Sequence, residues 1–260
     1  MSLLNEIIQK YGFEKLNSAT KYPSISTYHK IGDRGRLVEE LNIESEAPLG
    51  GNLQITEKID GTNARIIIYG DDYIIGSREE LIYAKGDRVK NDKLRIVEAL
   101  KENADQLGYS PEHSIMVLYG EVYGGKITKA SKQYTNDESI SFRMFDAAYV
   151  PINIFDKSLD EISTWRQNGG QDFAGNLLLF KLASDAGFKV VPTLDHLRFE
   201  QLPKDRRSVY KLLQQHKTTK AGIDIDGKSE GIIVRNIDRS FIRKIRFEEY
   251  EKTAKFEGWA

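Results

Sequence analysis

The sequence contains no cysteine. That excludes disulfide staples, thiol catalysis and cysteine-based zinc sites, and it fits a reducing, cytoplasmic compartment. Histidine is scarce: His29, His113, His196 and His216 are scattered, and none has the i, i+4 partner of a metalloprotease helix. No apolar run approaches the roughly 18 to 20 residues of a membrane span. The N-terminus, Met1-Ser2-Leu3-Leu4-Asn5-Glu6, lacks the basic flank and cleavage site of a signal peptide. No membrane association is expected. Positive charge is not in excess either, since 38 Lys and Arg stand against 39 Asp and Glu for a formal net charge of -1. A chain of this balance that binds nucleic acid must gather its cations on one face. The local clusters are Lys126, Lys129 and Lys132; Arg206 and Arg207, which read as a solvated face; and Arg239, Arg243, Lys244 and Arg246.

What is present is the composition of a soluble globular protein, 40% hydrophobic and 30% charged over 260 residues. Leu3, Leu4, Ile7, Ile8 and Tyr11 fall at helical spacing before Gly12, which predicts a helix over 3–11. Residues 17–52 read as loop-rich. Strands are expected at 53–57, 64–69, 73–75, 115–123 and 140–150, with Gly70-Asp71-Asp72 turning a hairpin. Helices are expected over 92–107 and 173–186 and around Val209, Leu212 and Leu213. A second hairpin joins 232–235 to 241–246, and a helix follows over 247–256. The fold class is α+β, with antiparallel sheets and flanking helices.

Lys58-Ile59-Asp60-Gly61-Thr62-Asn63 stands between two strand-like runs. Lys58 falls where a strand ends and the chain turns, with Gly61 expected to supply permissive dihedrals. Taken alone, this is equally a surface lysine beside an Asp-Gly turn. Five further segments suit phosphate chemistry at a lysine: Arg78 at a strand terminus, Glu121 between glycines, Phe145 beside Asp146, Glu230 before an apolar strand, and Arg243-Lys244-Ile245-Arg246. In the last, alternation sets Lys244 and Arg246 on one face and Arg243 and Ile245 on the other. Gly120 to Lys126 nearly matches a P-loop, but Ile127 stands where Ser or Thr should hold the metal, and no helical apolar face follows.

With these residues in view, the chain resembles the covalent nucleotidyltransferases, and within them the ATP-dependent RNA ligases of the RNA ligase 2 group. Lys58 to Asn63 is similar to that group's motif I, Arg78 to motif Ia, Glu121 to motif III, Phe145 and Asp146 to motif IIIa, Glu230 with Gly231 to motif IV, and Lys244 with Arg246 to motif V. Motif V is usually Lys-x-Lys; here Arg246 keeps the charge and can fork onto phosphate. Lys21-Tyr22-Pro23-Ser24-Ile25 resembles the start of the family's domain. The resemblance implies an ATP-grasp-like adenylation domain over 21–260, with 1–20 as a helical extension. Only 14 residues follow Arg246, so no C-terminal OB domain is expected.

The resemblance further implies a reaction. Lys58 attacks ATP to form lysyl-AMP, AMP passes to an RNA 5′-phosphate, and a 3′-hydroxyl closes the bond, as at a duplex nick. Phe145 would stack on adenine, Glu57 would accept from its exocyclic amine, Glu121 and Arg78 would hold the ribose, and Asn63 would contact a phosphate. Lys244 and Arg246 would act in catalysis and on the phosphates, and Glu230 would serve Mg²⁺ or Mn²⁺. A lysine attacks only as a neutral amine, and at an unperturbed pKa of ~10.4 few molecules are neutral at pH 7. Neighbouring cations favour that form. Lys126, Lys129 and Lys132 are candidates for tracking the RNA backbone. Three other readings remain: a small ATP-dependent DNA or nick ligase, an adenylation subunit that relies on a protein partner for RNA, and a non-catalytic binding module.

Overall fold

The computed structural model describes residues 3–43, 51–86, 94–108 and 113–259. Two helices open the chain, α1 (Leu3–Tyr11) and α2 (Phe13–Thr20), followed by β1 (His29–Ile31) and β2 (Leu37–Leu41). Next come β3 (Asn52–Lys58), β4 (Thr62–Tyr69), β5 (Asp72–Ser77), β6 (Leu81–Ala84) and α3 (Ile96–Ala104). The two longest strands are β7 (Ser114–Gly124) and β8 (Ile140–Pro151). Then follow α4 (Leu159–Gln167), β9 (Asp172–Phe173), α5 (Asn176–Asp185), β10 (Lys189–Val190) and β11 (Thr193–Arg198). The last elements are α6 (Arg206–Gln215), β12 (Gly231–Asn236), β13 (Ile242–Arg246) and α7 (Phe247–Glu257). They fall into two compact units, one of Met1–Ser24, Gly61–Lys129 and Ser139–Val190, the other of Ile25–Asp60, Ala130–Glu138 and Val191–Ala260.

In the first unit a sheet runs in the order β10-β8-β7-β4-β5-β6, with β9 also on β8. All its ladders are antiparallel except β10 on β8. Helices cover both faces. Leu4, Ile7, Leu16 and Ala19 of α1 and α2 pack with Ile67, Ile74 and Val117. Leu100 and Leu179 of α3 and α5 pack with Ile66, Ile68, Ile75 and Leu118. This explains the unbroken run Ile66-Ile67-Ile68, because a strand buried on both sides needs no polar face. Gly70, at φ +66°, makes the expected turn into β5. Arg65 is fully buried. It donates to Asn17 of α2, and burial lowers its pKa to about 10, so it stays charged at neutral pH.

The second unit is built on an antiparallel sheet, β11-β3-β12-β13. One face buries Leu53, Ile55, Ile232, Val234 and Ile245 against Val209 and Leu213 of α6 and Phe247 and Tyr250 of α7. His29 is fully buried here. Its Nε2 lies 2.9 Å from the Lys204 carbonyl and its Nδ1 lies 2.6 Å from the Tyr250 hydroxyl. The carbonyl only accepts, so Nε2 carries the hydrogen and Nδ1 accepts from the phenol. Burial holds this imidazole below its ordinary 6.5. The unfolded chain therefore takes the proton first. The stabilisation is complete above about pH 6.5 and declines as pH falls toward the folded-state value. In urea unfolding at pH 7.5 and pH 5, His29→Gln is expected to lose less stability on acidification than the parent chain; equal losses would remove His29 as the cause.

Several elements differ from expectation. The loop-rich reading of 17–52 misses the end of α2 and the short, polar pair β1 and β2; positions 44–50 lie outside the described residues. The helix expected over 92–107 is α3, and positions 92 and 93 of that reading also lie outside the described residues. The helix expected from Phe173 starts at Asn176 instead, because Phe173 pairs with Ala148 and Gly175 stands at the N-cap.

Candidate active site

Lys58 ends β3, the second strand of its sheet. Its Cα partner on β12 is Gly231, whose partner on β13 is Arg246. One row inward, Thr56 pairs with Ile233, and Ile233 with Lys244. Directly opposed residues share a face, so Lys58, Lys244 and Arg246 lie on one side of the sheet, away from the apolar core. Gly231 leaves the middle of the first row bare. A Cβ there would stand 2.2 Å from the Ile245 carbonyl oxygen and 2.8 Å from the Arg246 Cα. Lys58 and Arg246 are two strand spacings apart, about 10 Å, and their long side chains meet over this gap.

They meet at Glu230. Lys58 Nζ is 2.5 Å from Glu230 Oε2, and Arg246 Nη1 is 3.8 Å from Oε1. The nearest charge to the lysine is thus a carboxylate, with the cations beyond it. Arg246 is held from behind by Glu249 of α7, through Nε at 3.2 Å and a second, shorter contact from Nη2. Glu249 is only 5% exposed, and it occupies the first turn of α7, where the helix dipole favours an anion. The Lys58, Glu230 and Arg246 side chains keep 25%, 20% and 26% of their surface, enough for a substrate to reach them.

Glu57 points to the other face, opposite Ile232, and is 2% exposed. Its oxygens accept from the Thr219 hydroxyl and, at 2.7 Å, from the Lys220 N–H. Tyr134, fully buried, accepts the Asp60 N–H on its phenol oxygen at 2.8 Å. Its main-chain carbonyl takes the N–H groups of Ile223, Asp224 and Ile225. Burial pushes its pKa upward, so the phenol stays protonated. Tyr134 and Glu57 together fix both sides of the turn that begins at Lys58.

The remaining candidates lie in the first unit. Asn63 and Glu121 are cross-strand partners on β4 and β7. Asn63 Oδ1 is buried without a hydrogen-bond partner. Gly61 does not have a positive φ, contrary to expectation. What it provides is space: a Cβ there would fall 2.3 Å from the Val122 carbonyl oxygen and 2.9 Å from Glu121 Cγ. Phe145 sits in a β-bulge, for Tyr119 pairs with Asp146 and Gly120 with Met144, which leaves Phe145 as the extra residue. Bulges re-aim side chains. Tyr22 packs edge-on to Phe145 at 4.9 Å and donates to the buried Asp146 at 2.6 Å. Arg78 stands at the turn after β5 with 67% of its side chain exposed, its Nε 3.5 Å from Glu79. The structure therefore brings Lys58, Glu230, Lys244 and Arg246 onto one surface and pairs Asn63 with Glu121, while Arg78 lies at the periphery of its own unit.

Solved structures of RNA ligases share this architecture. A Naegleria gruberi RNA ligase variant with ATP and Mn matches with a TM-score of 0.53 and 17% identity, over 90% of this chain and 62% of that one. The Naegleria gruberi RNA ligase with PPi matches at 0.50 and 17%, over 90% and 64%. At such identities the likeness speaks for the fold, and the chain spans less than two thirds of the length of these ligases. No curated protein matches the chain. Fold and strand-end lysine together define an α+β domain of the RNA ligase type. The chain belongs to the RNA ligase family, which it matches over residues 51–256.

Proposed function

We propose that the chain is the ATP-grasp-like adenylation domain of an ATP-dependent RNA ligase of the RNA ligase 2 group, with Lys58 as its nucleophile. The observation that carries this reading is Lys58 Nζ held 2.5 Å from Glu230, with Arg246 on the same carboxylate and Lys244 on the same sheet face. Lys58 gives up a proton, for which Glu230 Oε2 is the near acceptor. Its lone pair attacks the α-phosphorus of ATP; the P–N bond forms as the P–O bond to pyrophosphate breaks. AMP then passes to the 5′-phosphate of an RNA, releasing the amine. A 3′-hydroxyl displaces AMP as the phosphodiester forms, and the natural substrate is proposed to be a duplex nick. Lys244 and Arg246 offset the charge on the α-phosphate and the leaving pyrophosphate. A protein partner supplying further grip on RNA is part of the proposal.

Mg²⁺ or Mn²⁺ is the proposed cofactor. Among the described residues no group of three or more His, Cys, Asp or Glu could hold an ion. A donor set limited to Glu230 fits a hydrated ion held mainly by water and nucleotide phosphates. Such an ion supplies further neutralisation of phosphate charge.

The nucleotide contacts are proposed residue by residue. The bulge at Phe145 supports stacking on adenine. Glu57 retains lone pairs for the exocyclic amine. Glu121 and Arg78 take the ribose. The orphan amide oxygen of Asn63 supports a phosphate contact, since rotating the amide puts its NH₂ in that position.

The test is incubation with ATP radiolabelled at its α-phosphate, followed by denaturation. Label should remain on the chain and be released by acid, as a P–N bond requires; an unlabelled parent chain would overturn the reading. Tyr134→Phe leaves the Asp60 N–H without its partner, at about 1 kcal/mol. It should slow label transfer about tenfold through a loosened nucleophile turn, with KM for ATP unchanged. An unchanged rate would take the positioning role from Tyr134.

A further inference from the structure

We infer that the outward face of α6, with the segment that follows it, binds the phosphate backbone of the RNA strand. This rests on the RNA reading proposed above. Between positions 204 and 220 stand Lys204, Arg206, Arg207, Lys211, Lys217 and Lys220, with Asp205 as the single acid, in a chain whose net charge is -1. Asp205 is spent on capping α6, accepting from the Ser208 N–H. Arg206 turns inward to Glu39 and Glu257. The other five cations are exposed. Among the described residues no ion pair holds any of their charged ends.

That isolation sets the stripe apart from the rest of the surface. Lys21, Lys30, Lys101, Lys181, Lys228 and Lys252 each meet a carboxylate within 2.8 Å. α6 carries no acidic residue at all. Arg207 and Lys211 are one turn apart on the side opposite the buried Val209 and Leu213, and like charges at that spacing repel. A polyanion along this face relieves the repulsion and releases its own counterions. Tyr210 and Trp259, packed edge to face with centroids 5.5 Å apart, border the stripe with rings on which a base can stack. The segment also leads somewhere: the Lys220 N–H donates to Glu57, the residue before Lys58. Contacts of this kind fix the strand's path without reading its sequence.

The experiment is fluorescence anisotropy of the full chain with a dye-labelled, 5′-phosphorylated nicked RNA duplex over a salt series. The triple variant Lys204→Gln, Arg207→Gln, Lys211→Gln should bind at least tenfold more weakly at low salt. Its slope of log K against log salt should shrink by about 2, as expected for three lost phosphate contacts. Its label transfer from ATP should be unchanged. Lys30→Gln, Lys101→Gln, Lys181→Gln removes the same charge elsewhere and should leave the slope intact. An unchanged slope in the α6 variant, an equal loss in the control, or no RNA affinity in the parent chain would each overturn the inference. So would loss of binding to phosphatidylserine vesicles with RNA binding retained, which would make the polyanion a lipid surface. Label transfer and RNA binding are separate readouts, so failure of the adenylation reading leaves this one decidable.

Discussion

Lys58→Ala is expected to carry no label after incubation with ATP and a divalent ion, while remaining as folded as the parent chain. The two halves of that result are separate claims. Label is lost because Lys58 Nζ is the atom proposed to bond to phosphorus. Folding is retained because the Lys58 side chain is a quarter exposed and its partner, Glu230, keeps Arg246 nearby. Ion pairs this accessible contribute about 1 kcal/mol or less, so urea midpoints should barely move. Lys58→Arg sharpens the point. A guanidinium keeps the charge and the contact with Glu230, yet it does not deprotonate at working pH. It should be as inert as the alanine variant. Label retained in either variant would end the nucleophile assignment.

Glu230→Gln should slow label transfer by about 10² to 10⁴, the usual worth of a positioned general base. The substitution keeps size and shape, so Arg246 remains clamped by Glu249 and the sheet register is untouched. What it removes is the carboxylate 2.5 Å from Nζ. The proton then leaves to solvent, and the residual rate should climb with pH more steeply than that of the parent chain. If Glu230 served only to tether the lysine at rest, the glutamine variant would instead react as fast as the parent chain or faster. That outcome would sink the proton-accepting role and leave Lys58 as nucleophile.

The sequence shows the backbone of this site because its parts sit at strand ends with strong alternation. Lys58, Glu230, Lys244 and Arg246 each flank β-branched runs, and the register places the last two on one face as alternation requires. Glu249 and Tyr134 carry no such mark. Glu249 matters through a turn from β13 into α7. Tyr134 matters through a contact with Asp60, 74 positions away, and no local pattern announces either. The same holds for the fold. α1 is plain from its periodicity and Gly12. β1, β2 and β11 are short and largely polar, so nothing separates them from loop. α4 is different: Ser158 and Glu161 form a capping box, a signal present in the letters that the apolar periodicity of the segment is too weak to reinforce. Neighbouring cations were expected around the lysine, yet the register brings an anion nearest, because Gly231 opens the row and Glu230 precedes it.

The order of strands in the second sheet has a consequence for synthesis. β3 carries Lys58, yet its two neighbours are β11 and β12, whose residues follow it by well over a hundred positions. A ribosome has therefore made most of the chain before that strand finds either partner, and distant pairing of this sort is slow to close. A growing polypeptide that stalls before β11 holds the lysine on an unpaired strand. Adenylation competence arrives last.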